Sequence, residues 1–135
     1  MDLDQIVEQY HVALHEFVKG SHEPLWAMYS RREDAFLCNP FVAFARSPQE
    51  IEEAMKTAAS HWGGGEVDFE NKVKYETAEL AYMIEREQFK ATLDGAERSG
   101  VLRVTSIFRP EEGVWKVVHR HADPAPSGQP AILQK

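Results

Sequence analysis

His119 and His121, one residue apart in "VWKVVHRHAD" (114–123), are the first candidates for chemistry in this chain. Imidazole nitrogens bind transition metals and move protons near neutral pH, so the pair invites both readings. A metal needs a third ligand, which Glu85 or Glu87 would have to supply, and no ligand-spacing motif joins them to the histidines. We expect no metal and no cofactor. The other reading is one row of a strand, shared with Trp115 and Val117. His11 and His15 lie four residues apart, on one helix face directed to solvent. His61, followed by Trp62 and Gly63-Gly64-Gly65, suits a mobile lip and is the best-placed histidine for a general acid or base. The lone Cys38 has no base implied beside it and reads as a small buried hydrophobe.

The elements that must position these groups fall into two halves. Apolar residues recur at helical spacing from Asp2 to Lys19, among them Leu3, Ile6, Val7, Tyr10, Leu14 and Phe17. A glycine stop precedes a short second helix, with Ser21 as N-cap and Pro24 in its first turn. "AFLCNPFVAFAR" (35–46) predicts two short strands broken at Asn39-Pro40, since proline cannot join a ladder and disfavours helix before it. Ser47-Pro48 with Glu50 reads as a capping box opening a third helix to about Ser60. From Val67 the period changes to two, and four strands follow near 67–75, 80–92, 100–109 and 114–122, with turns at Asp94-Gly95 and "PEEG" (110–113). The fold class is α+β, with three helices covering one face of a curved antiparallel sheet.

With 135 residues the chain fits one domain, over 1–124, followed by a Pro-rich extended tail, 125–135. A net charge of -7 without a basic block argues against nucleic acid as a partner. No apolar run reaches the length of a membrane span, and one cysteine cannot close an intramolecular disulfide, so we expect a cytoplasmic protein without a membrane partner.

The order helix, helix, short strands with "NP", helix, four long strands resembles the nuclear transport factor 2-like superfamily, in particular its SnoaL-like and ketosteroid-isomerase-like branches. "ELAYMIEREQF" (79–89), "LRVTSIFR" (102–109) and "WKVVHRHADP" (115–124) are also similar to the association domain of calcium/calmodulin-dependent protein kinase. The resemblance implies a cone with a pocket between the helices and the concave sheet, and frequently a homodimer through the convex face. Folds of this kind host many functions, so the site must decide. In the isomerase branch, a first-helix tyrosine donates to the developing oxyanion, an Asp-Pro carboxylate moves the proton, and a strand acid is a second donor. Tyr10 stands at the tyrosine position. Asn39-Pro40 replaces the Asp-Pro step, and Thr105 falls near the second acid, so two of the three roles lack their chemistry. The catalytic candidates are Tyr10, Asn39 and His61. Asp34 matches an acidic position of the family and equally suits a turn or cap.

Alignment with the isomerase pattern puts Tyr82, Ile84, Arg86 and Gln88 on the concave row of the second long strand. It puts Arg103, Thr105 and Ile107 there on the third, and Val118, Arg120 and Ala122 on the last. A tight "PEEG" hairpin would set Arg103 opposite Arg120, an unfavourable pairing unless an anion or carboxylate lies between. One expectation is that Arg86, Arg103 and Arg120 surround an anionic head of a small ligand, while Tyr10, Trp26, Met55, Trp62, Tyr82 and Thr105 complete the pocket. The alternative pairs these arginines with acids such as Glu16, Asp34 or Glu85. The same parity assigns Trp115, His119 and His121, facing Met83, Glu85, Glu87 and Phe89, to a convex homodimer face. Two functions follow: a homodimeric pocket protein with isomerase, lyase or cyclase activity on an unknown substrate, or a non-catalytic association or scaffold module.

Overall fold

The computed structural model describes residues 1–126. The predicted tail beyond them lies outside the described residues. Helix α1 (Leu3–Phe17) begins at a full capping box, in which Asp2 accepts from the Gln5 backbone N–H and Gln5 accepts from that of Asp2. Its inner stripe, Leu3, Ile6, Tyr10, Ala13 and Leu14, is buried as the periodicity predicts. Helix α2 (Glu23–Met28) is a short second turn with Pro24 near its start, capped at His22 rather than Ser21. Strands β1 (Phe36–Asn39) and β2 (Val42–Arg46) form the short hairpin around Pro40. The Asn39 side-chain oxygen accepts from the backbone N–H of Phe41 and Val42, which closes the turn. Helix α3 (Ser47–Ala59) follows, but Ser47 is its first residue and not its cap; Glu50 instead accepts the Arg46 backbone N–H.

Strand β3 (Trp62–Glu76) starts five residues before the predicted alternation, because the three glycines continue the strand. A Cβ on Gly65 would sit 2.4 Å from Ala91, so only glycine lets β3 approach its neighbour this closely. Strands β4 (Ala81–Leu93), β5 (Ala96–Glu111) and β6 (Val114–Pro124) complete the meander. The sheet order is β2-β1-β6-β5-β4-β3, with every pairing antiparallel except β1 on β6. The helices pack on one face, and the core lies between, built on Tyr10, Tyr29, Leu37, Met55, Met83 and Phe108. Among the described residues no helix is long and apolar enough to cross a membrane.

The strand parity divides the predictions. On β4 the inner row is Ala81, Met83, Glu85, Glu87 and Ala91, all buried, so Tyr82, Ile84, Arg86 and Gln88 face outward, opposite to expectation. On β5 the inner row is Val104, Ser106 and Phe108, and Arg103, Thr105 and Ile107 are outside. On β6 the expected inner row of Val118, Arg120 and Ala122 is the observed one. The discrepancy comes from a bulge: Phe108 pairs with Val117 but Ile107 pairs with His119, so β6 carries an extra residue. Beyond the bulge Arg103 lies opposite Asp123, and Arg120 lies opposite Ser106. On the turn side of the bulge Val117 is fully buried and Trp115 packs against the core, so Trp115 does not share the outer face with His119 and His121.

Candidate functional site

A cavity of about 420 Å³ opens between α1, α3 and the concave sheet, within the range of about 300–1,000 Å³ usual for ligand sites. Its deep wall is apolar, with Leu14, Leu25, Leu37 and Met55 all buried. Phe89, Trp62, Phe41 and Leu93 form the more open end. Trp62 meets Phe89 edge-to-face at 5.0 Å. The Phe89 ring lies over Gly100, where an added Cβ would come within 2.6 Å of its far carbon. Three polar side chains line this space, Asn39, Glu87 and Arg120.

Arg120 and Glu87 form a buried bidentate pair, the guanidinium donating at 2.9 and 2.8 Å to the two carboxylate oxygens. Neither charge could be left there alone, since an unpaired buried ion costs several kcal/mol, on the order of 3–5 when one partner is removed. Burial works against the Arg120 charge, but Glu87 and Tyr10 outweigh it and hold the guanidinium above its ordinary pKa. Arg120 also donates to the Tyr10 hydroxyl at 2.8 Å, and that hydroxyl lies 2.6 Å from Ser106 Oγ. The phenol oxygen accepts from Arg120, and in its contact with Ser106 either hydroxyl can be the donor. Burial raises the Tyr10 pKa despite the nearby guanidinium. Tyr10 therefore stands behind the pair as its support and does not itself line the cavity.

A second inward carboxylate, Glu85, is held by His11 Nε2 at 2.9 and 3.0 Å, and the His11 ring stacks on Phe69 at 3.9 Å. His11 is thus a structural partner rather than the solvated residue expected. The Asn39 carbonyl oxygen is used by its own turn, which leaves its amide N–H groups for the cavity. His61 Nδ1 contacts Asp94 Oδ1 at 2.6 Å, and its ring stacks on Phe41 at 4.2 Å, at the edge of the cavity.

Of the predicted pocket residues, the fold brings Asn39, Met55, Trp62 and Arg120 to the cavity, with Tyr10 beneath and His61 at its edge. Trp26 is not in the lining; Arg31 lies 3.7 Å over its ring. Tyr82, Arg86, Arg103 and Thr105 are on the outer face, so the three-arginine anion cradle does not form. Arg103 instead binds Asp123 at 3.1 and 3.0 Å, and Arg86 donates to Gln88. Asp34 receives two hydrogen bonds from Arg109, whose guanidinium is held above its ordinary pKa by Asp34 and Glu111. His119 and His121 face outward beside β1, and among the described residues no cluster of three metal-ligating side chains occurs. Sequence reasoning missed Glu87, Ser106, Phe89 and Phe41. Composition held the signal for Glu87: its row, Ala81, Met83, Glu85, Glu87, Phe89 and Ala91, is apolar at both ends, while the opposite row carries Arg86, Gln88, Lys90 and Thr92.

The SnoaL-like domain family matches residues 4–125. A search of curated proteins finds no match. Among solved structures, a Thiobacillus denitrificans chain assigned as a calcium/calmodulin-dependent protein kinase type II association domain superposes with a TM-score of 0.78 at 15% identity, over 92% of this chain and 95% of that one. A nuclear transport factor 2-like superfamily protein of Salmonella enterica gives 0.77 at 11% identity, over 94% and 91%. A ketosteroid isomerase-like protein of Erwinia carotovora gives 0.75 at 16% identity, over 93% and 95%. At these identities the structural likenesses speak for the fold alone. With its helices on the concave face, its cavity there and the family match over nearly its full length, the chain belongs to the SnoaL-like domain family and has a nuclear transport factor 2-like fold.

Proposed function

We propose that the protein binds a largely apolar small molecule carrying one or two uncharged hydrogen-bonding groups. The observation that carries this reading is the Arg120–Glu87 pair, which brings one positive and one negative charge to a cavity otherwise lined by apolar residues and Asn39. An anionic ligand would approach Glu87 as closely as Arg120 and lose on one what it gained on the other. A hydroxyl suits the remaining lone pairs of Glu87, and a carbonyl suits the Asn39 amide or the unused N–H groups of Arg120. Binding is favoured over turnover. Asn39 cannot act as a base, and each Glu87 oxygen already accepts a guanidinium N–H. The isomerase, lyase or cyclase reading would have to use Glu87, the one carboxylate among the described residues that line the cavity, as a base already tied to Arg120.

The outer sheet face supports a homodimer. Val73, Tyr75, Tyr82 and Ile84 are exposed there, and Ile107 and His119 continue the Tyr75–Tyr82 row across the strands. Aromatic and aliphatic side chains contiguous on an uncovered sheet suit an association surface. This is the observation behind the second reading, an association module. It is compatible with the first, since the two faces of one sheet serve them separately.

The test uses the neutral fluorophore N-phenyl-1-naphthylamine, displaced by a matched pair, decanol and decanoate. Decanol is expected to displace it at lower concentration, and tighter displacement by decanoate would overturn the neutral-ligand reading. Light scattering should give twice the chain mass, and a monomer at tens of micromolar would remove the dimer.

A further inference from the structure

Three segments meet at the cavity mouth, the β1–β2 turn at Phe41, the start of β3 at Trp62 and the end of β4 at Leu93, while Val101, Pro124 and Ala125 also line the cavity. The β3 and β4 segments are joined by ladder pairing of Trp62 with Leu93, and the Asp94 backbone N–H donates to the His61 carbonyl at 2.8 Å. The β1–β2 turn belongs to the opposite end of the strand order, since β2 and β1 occupy one edge of the sheet and β3 the other. His61 spans this gap. Its ring lies face to face with Phe41, 4.2 Å between centroids and 11° from parallel, while its Nδ1 is anchored on Asp94.

We propose that His61 is a clasp at the cavity mouth, joining the two edges of the sheet and setting the rate of ligand exchange. The proposal rests on the cavity being the ligand site. The Phe41 side of the clasp is a ring stack without a hydrogen bond, so it can part without unpairing a strand. Asp94 fixes the plane of the imidazole, which holds the face toward Phe41. Neither His61 nor Asp94 lines the cavity, so releasing the clasp widens the entrance without removing a wall contact. The barrier to passage falls in both directions, and affinity is left nearly constant.

Stopped-flow mixing with N-phenyl-1-naphthylamine reads both rates. In His61→Ala, association and dissociation rate constants should each rise roughly three- to tenfold, the range expected for loss of one aromatic stack, with the dissociation constant within about twofold of the parent. Asp94→Ala should move both rates in the same direction by less, and it keeps the ring if His61→Ala folds poorly. Unchanged rates in both variants would overturn the clasp. So would faster dissociation alone with a matching loss of affinity, the mark of an ordinary wall contact. Met55→Trp, which fills the deep cavity, separates the two claims. If it binds the probe as the parent does, the cavity reading itself fails; if it abolishes binding, the rates test the clasp alone.

Discussion

The two faces of the sheet each carry an arginine held by a carboxylate through two hydrogen bonds, and the two pairs have opposite physical meaning. Arg120 with Glu87 is buried in the cavity wall; Arg103 with Asp123 is exposed on the outer face. Outside, water solvates either partner when the other leaves, and the pair is screened by salt. Inside, removal of one partner strands the other in a medium that cannot solvate it. The outer face even tolerates Arg86 directly opposite Arg103, because Glu70 and Asp123 flank them in the same row. The same chemical pair is a surface detail in one place and a condition of folding in the other.

Arg120→Ala should give the largest effect, a loss of about 3–5 kcal/mol in urea unfolding, because it leaves the Glu87 carboxyl buried without its partner. Joining Glu87→Leu to Arg120→Met should recover most of that loss while abolishing any preference of the cavity for hydroxylated ligands, and a double-mutant cycle measures the coupling. Recovery of less than half would mean that the network with Tyr10 and Ser106 holds the helix–sheet contact in another way. Tyr10→Phe should cost about 1–2 kcal/mol, since it leaves Ser106 and one guanidinium N–H without their buried partner.

A smaller effect appears with acid. Burial pushes the Glu111 carboxyl up, but hydrogen bonds from Ser30 and Arg109 outweigh it and leave its pKa lowered. A lowered carboxyl stabilises the fold above its unfolded value, about 4.3, and that contribution disappears as pH falls through the folded value. Glu111→Gln should therefore flatten the stability profile below about pH 5. An unchanged acid limb would assign that slope to other carboxyls. The smallest effect belongs outside: Arg103→Ala should leave both melting temperature and probe affinity at the parent values. A measurable loss of affinity would return Arg103 to the ligand site.

Most of the architecture was legible in the chain, because the helical spacing of apolar residues from Asp2, the Asn39-Pro40 break and the change of period after the glycines are local signals. The site was legible only in part. Arg120, Met55 and Trp62 were found, but Arg86 and Arg103 were placed on the wrong face because side-chain parity depends on pairing register, which one extra residue reverses. The bulge beside Val117 and Val118 has no glycine or proline to mark it. Glu85 and Glu87 misled for a different reason. Carboxylates are seldom buried, and nothing local shows that His11 and Arg120, from distant parts of the chain, arrive to hold them.

Gly100 has a consequence for ligand size. With no side chain there, the Phe89 ring rests on bare backbone at the cavity's open end. One added methyl group would meet the far end of that ring, which can turn aside where a backbone atom could not. Position 100 is thus an adjustable stop: Gly100→Ala trades free volume for aromatic surface inside the cavity while the strands and the charged pair stay in place. A change of cargo length could begin with that single carbon.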